Sequence, residues 1–552
     1  MACPCAARVV VTLAVVALAV TAVPVDSSLP RQQGFAQIPL IHTSAHSRLA
    51  RRQSNVSYAG LGDAYDITYN VLVQVGPVRM PVVLDTGSSD LWVISDACLS
   101  DACVAAVGDT WPPYPMDNLS EETVPVHLEY GDSSARTTAD GPGGTSTIGI
   151  AGLSLENQFF AAINDTDIRL ADTGSTGILG LGFPLSSIVL ADYFKKLRLA
   201  SAKRDLRHSA VSHTTLSARD PAADLLATAG PFITRAILQN QFPEPMISVT
   251  LQRDSIDPGG NAGMLTLGGL PPTVQSDSLT WADVRLYSRT EWELPDSLPE
   301  THYPLAWEIM IDNVYLDGQK LPQTNITNSS LGISALLDTG YSWISGPADV
   351  VDIAKRRILA PGSASDQVIP STYDCQPHSL AFEIGGKLFT VDPRDLVSQN
   401  SETEASNATI CSLNLAARRS PDTDHGFLYS WKLGAPFLRS VLSAYYYGDL
   451  VNPSQDRPRI GLLSTVPTDA NEAMIDAIAL AESSGGNFPL LSEDAPTATY
   501  SSLAIAANGV PLAPSIHPTT SVHQRPPNDA VRIRTSRSAL VSVACLCAFW
   551  TL

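Results

Sequence analysis

The sequence predicts a mainly β protein made of two lobes. The chain has 552 residues, several times the ~150 residues of a typical domain. From about residue 65 to 466 it consists of short runs rich in β-branched and aromatic residues, separated by Gly, Pro, Asn and Asp turns, with few long helical periodicities. Two similar Asp-Thr-Gly loops, at Asp85 and Asp338, fall in the two halves of this region. These features favour two β lobes, which we place at 53–270 and 271–466.

Residues 1–22 have the pattern of a signal peptide. Arg8 precedes an apolar run from Val9 to Val20, and small residues follow. A membrane anchor is the alternative, but the run is too short to span the ~30 Å hydrocarbon core as a helix. Export is also indicated by six Asn-x-Ser/Thr glycosylation sequons, which are used only in the secretory route. They lie at Asn55, Asn118, Asn164, Asn325, Asn328 and Asn407.

A propeptide is predicted over 23–52. This stretch ends in Arg48-Leu-Ala-Arg51-Arg52, a basic site of the kind cut by processing proteases in the secretory route. Arginine pairs are also common as solvated charge, so the position of this one carries the prediction. It comes shortly before the first strand-like pattern, Tyr65 to Val75.

One segment of the first lobe departs from the β pattern. Between about 191 and 230, basic residues gather in a stretch of helical composition. We interpret this segment as a surface insertion. Solvated charge is the more common role of such a stretch, and docking of a partner is the alternative.

The C-terminal part of the chain predicts a stalk and a lipid anchor. After Leu463 the composition shifts to Ala, Ser, Thr, Pro and Asn, which is typical of a stalk, here 467–530. A polar spacer and an apolar tail of 14 residues from Ala539 then end the chain. Small residues, spacer and tail in this order indicate a GPI-anchor signal over 531–552 with attachment near Asn528. A plain hydrophobic tail anchor is the alternative.

The charge balance limits the partners of the protein. Lys plus Arg is 35 and Asp plus Glu is 55, so the formal net charge is −20. This excess of carboxylates argues against binding of nucleic acid or of an anionic membrane surface.

Four of the eight cysteines lie in the body of the chain, at Cys98, Cys103, Cys375 and Cys411. Of their three possible pairings we favour Cys98–Cys103 with Cys375–Cys411, because exported proteins meet an oxidising compartment. A zinc site would need tighter cysteine pairs with histidines nearby, so no metal is predicted.

Asp-Thr-Gly occurs three times, at Asp85, Asp172 and Asp338. The first and third lie between two apolar runs, whereas Asp172 follows a polar stretch and is rejected as a catalytic candidate. A buried strand that ends in an aspartate and a tight glycine turn can hold the carboxylate rigidly at a lobe interface. Two carboxylates held close together share one proton, and such a pair can act as base and acid on a bound water. A turn residue that caps its own loop is the alternative for either aspartate alone.

Further motifs, over roughly residues 58–466, resemble those of the pepsin-like aspartic endopeptidases. The run from Asp85 to Val93 is similar to the family's first catalytic loop, and Leu128 to Ser133 is similar to the β-hairpin flap that closes over substrate. Segments 177–184 and 433–439 resemble the apolar-apolar-Gly segments that support the two catalytic loops. Segment 263–269 resembles the family's interlobe strand, and segment 307–311 resembles an early strand of the second lobe.

The resemblance implies the bilobal pepsin-like fold and a role for each matching residue. The catalytic pair would be Asp85 and Asp338; the flap and substrate-binding residues Tyr130, Gly131, Asp132, Gly87 and Gly340; and the supporting residues Ser88, Trp92, Thr86 and Thr339. Trp92 would pack behind the flap and orient its tyrosine, and the Cys98–Cys103 loop fits the family's small first-lobe disulfide. Tyr341 departs from the family, which has Thr or Ser there, so we expect a changed tuning of Asp338 and a changed pH profile.

The function implied by the resemblance is hydrolysis of peptide bonds at acidic pH, in extended peptides or unfolded proteins and without metal or cofactor. The protein would be a secreted, GPI-anchored, fungal-type monomer. A pepsin-like binding or inhibitor protein without turnover is the alternative, since a fold does not guarantee activity. A hydrolase of another mechanism is disfavoured, because the sequence has neither a Gly-x-Ser-x-Gly elbow nor a His-Glu-x-x-His pair.

Overall fold

The structure, a computed structural model, describes residues 56–512 with interruptions. The interruptions are 65, 107–110, 133–134, 171–173, 206–220, 254–255, 257–262, 289–301, 326–331, 363–367, 400–408, 419–428, 485, 489–491 and 498–500. The predicted signal peptide, propeptide and anchor signal lie outside the described residues, and so does the predicted attachment residue, Asn528. So do the sequons at Asn55, Asn328 and Asn407, and the rejected Asp172.

The first lobe is built on a ten-stranded sheet. Its strands are β2 (Gly62–Ala64), β3 (Thr68–Val75), β4 (Val78–Asp85), β5 (Leu91–Ile94), β6 (Val124–Asp132), β7 (Ala135–Ile150), β8 (Leu153–Ile163), β9 (Asp165–Thr166), β10 (Gly177–Gly180) and β28 (Ser492–Glu493). They are ordered β28-β2-β3-β4-β10-β5-β8-β7-β6, and β9 pairs with β7. Most pairings are antiparallel, but β10 lies parallel to β4, and β5 lies parallel to β8.

Alternation along β3 explains how the first lobe forms its core. Val71 and Val73 are fully buried, and they pair with Val82 and Met80 of β4, which are buried as well. Burial of each aliphatic side chain contributes roughly 1.5–3 kcal/mol relative to exposure. This packing fixes β4 and therefore the position of Asp85 at its end.

Six antiparallel strands form an interlobe sheet that takes strands from both halves of the chain. They are β1 (Ser57–Gly60), β11 (Met246–Leu251), β12 (Gly263–Leu267), β13 (Thr280–Ser288), β26 (Val441–Tyr446) and β27 (Arg459–Ser464). Their order is β1-β12-β11-β26-β27-β13. The segment 263–269, which resembles the family's interlobe strand, contributes β12 to this sheet.

The second lobe continues from β13 and adds two small sheets. Its main strands are β14 (His302–Ile311), β17 (Ile333–Leu337), β18 (Ile344–Pro347), β24 (Leu415–Arg418) and β25 (Trp431–Leu433), ordered β14-β17-β25-β18-β24. The small sheets contain β15 (Asn313–Leu316), β16 (Gln319–Lys320), β20 (Leu380–Ile384) and β21 (Lys387–Thr390), and β19 (Tyr373–Asp374), β22 (Val397–Gln399) and β23 (Ile410–Leu413). The predicted fold class, mainly β and bilobal, is confirmed.

Helices connect the strands and cover the lobes. They are α1 (Asp101–Ala106), α2 (Ile188–Asp205), α3 (Pro221–Ala229), α4 (Phe232–Leu238), α5 (Ala348–Leu359), α6 (Pro393–Leu396), α7 (Ala435–Leu438) and α8 (Ala470–Ser483), with single 3-10 turns at Met116–Asn118, Pro184–Ser186 and Ser276–Ser278. In the predicted insertion, α2 and α3 agree with its helical composition. Leu190, directly before the predicted insertion, is buried, as are Phe194 and Ala229 near its two ends. Both ends of the segment therefore pack on the lobe. Among the described helices none has the length and apolarity needed to cross a membrane.

A buried ion network lies beside the interlobe sheet. Asp395, in α6, receives two hydrogen bonds from Arg253, at 3.0 and 2.8 Å. Arg439, which follows α7, donates to the same carboxylate at 2.9 Å. These cations lower the pKa of Asp395 to about 2, although burial alone would raise it. The network therefore ties the chain after β11 to the second lobe.

The predicted stalk, 467–530, differs from the structure over its first part. Met474 and Ala481 of α8 are buried, and β28 extends the first-lobe sheet by pairing with β2. Farther on, the Ile505 carbonyl accepts a hydrogen bond of 2.7 Å from Thr273. The correction is that the chain packs on the body up to residue 512, because α8 has an apolar face that the composition of the segment concealed.

Candidate active site

The structure brings Asp85 and Asp338 together between the lobes. Asp85 is the last residue of β4, and Asp338 directly follows β17. The two residues are 6% and 4% exposed, and their carboxylates are close enough to interact directly. In each lobe a parallel strand supports the aspartate loop, β10 beside β4 and β25 beside β17.

Reciprocal hydrogen bonds lock the two aspartate loops to each other. The Thr86 hydroxyl accepts from the Thr339 amide at 3.0 Å and donates to the Leu337 carbonyl at 2.8 Å. The Thr339 hydroxyl accepts from the Thr86 amide at 3.0 Å and donates to the Leu84 carbonyl at 2.6 Å. All these groups are buried, where hydrogen bonds are not weakened by competing water. The two threonines therefore hold the lobes in one register at the aspartates.

Each loop glycine faces the carboxylate of the opposite loop. A Cβ added to Gly87 would lie 2.4 Å from an Asp338 carboxylate oxygen, and one added to Gly340 would lie 2.6 Å from an Asp85 oxygen. Either contact is too short for real atoms, so only glycine permits the aspartates to approach this closely.

Asp85 lies in an environment that favours its protonated form. The Gly87 amide donates to Oδ1 at 2.8 Å, and the Ser88 hydroxyl donates to Oδ2 at 2.5 Å. These bonds stabilise the anion, but burial and the charge of Asp338 outweigh them and raise the pKa of Asp85 to about 7. A carboxyl group with this pKa still carries its proton at acidic pH.

Asp338 has a partner that the motifs did not predict. The Gly340 amide donates to Oδ1 at 2.9 Å, in the same manner as Gly87 in the first lobe. The Lys432 ammonium lies 2.7 Å from Oδ2 and 4.5 Å from the centroid of the Tyr341 ring. The sequence did contain a signal: a lysine stands in β25, next to Leu433-Gly434, where the support strand is otherwise apolar.

The predicted flap is a β hairpin. Tyr130 and Gly131 lie near the end of β6, opposite Thr137 and Arg136 of β7. The hairpin turn at 133–134 lies outside the described residues, and of Asp132 only the backbone is described. The Trp92 indole, which is fully buried, donates to the Tyr130 hydroxyl at 2.7 Å. This contact agrees with the expected role of Trp92 behind the flap.

The Ser88 hydroxyl, which donates to Asp85, lies near the Tyr130 hydroxyl. The flap tyrosine therefore lies between the buried indole and the groups around the first aspartate.

Both predicted disulfides are present, Cys98–Cys103 just after β5 and Cys375–Cys411 between β19 and β23. The sequon residues Asn118, Asn164 and Asn325 are exposed, as glycosylation would require. Within the described residues, no group of His, Cys, Asp and Glu side chains is arranged to hold a metal ion.

Known proteins are similar to this chain over most of its length. The family model described as eukaryotic aspartyl protease matches residues 68–203 and 220–452, and the interruption falls in the predicted insertion. The chain is 25% identical to Cathepsin E-B of Xenopus laevis over 405 residues, 73% of this chain and 80% of that one. It is 26% identical to Cathepsin E of Mus musculus over 338 residues, 60% and 67% of the two chains.

A probable aspartic-type endopeptidase of Aspergillus fumigatus is 23% identical over 398 residues, 70% of this chain and 77% of that one. The family match covers most strands of both lobes and both aspartate loops. The chain therefore belongs to the eukaryotic aspartyl protease family.

Proposed function

We propose that the protein is an aspartic endopeptidase in which Asp85 and Asp338 hydrolyse peptide bonds through an activated water. The observation that carries this proposal is the interlocked pair of buried carboxylates, held by Thr86 and Thr339 with one glycine against each carboxylate. Two carboxyl groups in contact share a proton, which supplies both a base and an acid at one place.

The reaction follows from this shared proton. The ionised carboxylate takes a proton from the water, whose oxygen attacks the peptide carbonyl carbon, while the protonated carboxyl group donates to the carbonyl oxygen. Collapse of the resulting tetrahedral diol breaks the C–N bond, and a proton passes to the leaving nitrogen. General acid and base catalysis of this kind supplies roughly 10²–10⁴-fold each.

The substrates of this proposal are extended peptides and unfolded protein segments. The flap presents a β hairpin beside the aspartates, and an extended chain can hydrogen-bond to such strands through its backbone while side chains occupy pockets. The protein needs no metal or organic cofactor for this chemistry.

The location and processing of the protein are part of the same proposal. We infer a secreted, fungal-type monomer with a signal peptide at 1–22, a propeptide at 23–52 and a GPI anchor near Asn528. Exposed sequons at Asn118, Asn164 and Asn325 support passage through the secretory route, and the relative from a fungus supports the fungal type. Residues 53–270 and 271–466 would be the catalytic lobes.

A catalytically weak pepsin-like binding or inhibitor protein remains the second candidate, favoured by the contact of Lys432 with Asp338. A cation in contact with this carboxylate neutralises part of the negative charge that would draw a proton from the water. The two candidates differ in turnover but not in peptide binding.

The test is cleavage of a denatured protein from about pH 2.5 to 7.5 by residues 53–512, with and without pepstatin, an inhibitor of paired-aspartate proteases. Acid activity that pepstatin blocks, and that Asp85→Asn and Asp338→Asn each lose by roughly 10²-fold or more, is the expected result. Folded protein that binds pepstatin but cleaves nothing would favour the binding-protein candidate.

A further inference from the structure

We propose that Lys432 is a positioning residue of the aspartate pair: its ammonium replaces on Asp338 the hydroxyl donor that Ser88 provides on Asp85, and it makes Asp338 the ionised member. This inference rests on the proposed function, because it assigns the base to Asp338 and the acid to Asp85.

The two aspartates have matching donors on one oxygen and different donors on the other. Oδ1 of each accepts from the amide of its loop glycine, at 2.8 Å in the first lobe and 2.9 Å in the second. Oδ2 of Asp85 accepts from Ser88 at 2.5 Å, whereas Oδ2 of Asp338 lies 2.7 Å from Lys432. A neutral donor in one lobe therefore corresponds to a cation in the other.

The loop sequence explains why Asp338 needs another donor. The residue three positions after Asp338 is Tyr341, and the phenol is too long to place its oxygen where a short hydroxyl would lie. The next residue, Ser342, directs its hydroxyl to the Ile67 carbonyl at 2.7 Å. The lysine supplies the missing donor from the neighbouring strand.

Lys432 occupies a position that is apolar in the other lobe. In the second lobe, Lys432 of β25 pairs with Leu336, the residue two positions before Asp338. In the first lobe, Ile178 of β10 pairs with Val83, the residue two positions before Asp85. Lys432 and Ile178 are therefore equivalent positions. Ile178 is a buried apolar side chain, so its counterpart in the second lobe is a cation directed at the aspartate.

The surroundings suit a cation held at this place. The Lys432 side chain is 24% exposed, and its ammonium lies over the face of the Tyr341 ring, a cation–π contact worth roughly 0.5–2 kcal/mol. Contact with an anion raises the pKa of Lys432, although burial opposes this shift. The lysine therefore stays charged over the whole range in which aspartates titrate.

Other titratable groups near the pair do not compete with this cation. They are Asp85 itself, the phenols of Tyr130, Tyr341, Tyr429 and Tyr445, the carboxyl group of Asp90 beyond Tyr130, and Arg418, which lies over the Tyr429 ring. Burial raises the pKa of Tyr130 and of Tyr445 above the usual value of a phenol, so both are neutral at acidic and neutral pH. Among the residues that the structure describes, Lys432 is the cation within ion-pair distance of the aspartates.

The expected consequence is a displaced acidic limb of the pH profile. The active form of the pair carries one proton, and a cation 2.7 Å from one carboxylate favours this singly charged form over the form in which both groups are protonated. Loss of the lysine charge would therefore move the acidic limb of the activity profile to higher pH, by about 1 pH unit or more. At a pH on the acidic side of this limb, the activity of the variant would be lower than that of the wild type by roughly tenfold for each pH unit of displacement. Near the pH optimum the two activities would differ less.

The experiment compares Lys432→Gln, which keeps a long polar side chain without charge, with Lys432→Arg, which keeps the charge. Lys387→Gln is the matched control, since Lys387 also lies over an aromatic ring, 5.7 Å from the centroid of Phe389, but on β21, outside the aspartate site. For each protein, kcat/KM and pepstatin affinity are measured against pH, and circular dichroism verifies folding. A displaced acidic limb in Lys432→Gln alone, with rescue in Lys432→Arg, is expected.

Coincident acidic limbs in wild type and Lys432→Gln would overturn the inference, as would equal displacements in Lys432→Gln and Lys432→Arg. Pepstatin affinity tests the role of Lys432 even if the protein has no peptidase activity, because binding can be measured without turnover. The wild type could bind pepstatin without cleaving any substrate, and its pepstatin affinity could change with pH at a value that is displaced in Lys432→Gln. This outcome would support the role of Lys432 and refute peptidase activity.

Discussion

Raising the pH from about 4 to about 7 should destabilise the folded protein, and Asp85 should account for much of this loss. Burial beside Asp338 raises the pKa of Asp85 to about 7, whereas an aspartate in an unfolded chain titrates near 3.9. The folded state therefore binds this proton more tightly, so the contribution to stability is fully present below about pH 3.9 and is lost as the pH rises through about 7. Three pKa units correspond to on the order of 4 kcal/mol, a large part of a typical stability of about 5–15 kcal/mol.

The assay is urea unfolding, followed by tryptophan fluorescence, at a series of pH values between about 4 and 7. Asp85→Asn removes the titrating group, so its free energy of unfolding should fall less with pH than that of the wild type. Asp90 continues to titrate in this variant, because burial raises its pKa to about 6; this leaves a pH-dependent loss on the order of 3 kcal/mol. Asp117→Asn, at an exposed position, is the matched control. Equal losses of free energy in wild type and Asp85→Asn would refute the reasoning.

Three further predictions concern other parts of the structure. Asp395→Asn removes the carboxylate shared by Arg253 and Arg439 and should cost about 3–5 kcal/mol of unfolding free energy near pH 5. In the wild type the part of this contribution that depends on ionisation of Asp395, on the order of 2–3 kcal/mol, is present above about pH 3.9 and is lost as the pH falls through about 2. Urea unfolding at about pH 5 and 2.5 that gave equal values for both proteins would contradict the prediction. Trp92→Phe removes the hydrogen bond to Tyr130 and should lower kcat/KM up to about tenfold; an unchanged kcat/KM would mean that this bond does not orient the flap. Truncation after residue 466 removes α8 and β28 and should lower the thermal midpoint by several °C, and an unchanged midpoint would mean that this segment adds no stability.

The features predicted from the sequence are those encoded by neighbouring residues. The pair at Asp85 and Asp338 could be predicted because a strand, a carboxylate and a glycine turn are consecutive in the chain. The same holds for the flap, where Tyr130 and Gly131 lie together in a β hairpin, and for the short Cys98–Cys103 disulfide. In each case the local geometry of a turn or strand end fixes where the side chain points.

In the segment after residue 466, composition and periodicity predict different structures. Its Ala and Ser content is typical of a linker. Met474, Ala477, Ile478 and Ala481, however, have the i, i+3, i+4, i+7 spacing of one helix face, and this face packs on the core. Alanine is also the residue with the highest helix propensity. Only contact with the body, which a sequence pattern does not specify, distinguishes this helix from a stalk.

Lys432 was missed because its partner is brought to it by strand pairing and not by sequence proximity. The sequence marks Tyr341 as a departure from the family and 433–439 as a support segment, but it does not show that Lys432, one residue before this segment, faces the Tyr341 ring. In the structure they are one arrangement. Without the lysine, Oδ2 of the buried Asp338 would lose the donor that lies 2.7 Å from it, and loss of a partner from a desolvated carboxylate is destabilising. Without Asp338 and the Tyr341 ring, a lysine in place of an apolar strand residue would lose both the anion and the aromatic face that it contacts. Each change makes the other tolerable, so an unusual residue in an aspartate loop of this family should be interpreted together with the strand that supports that loop.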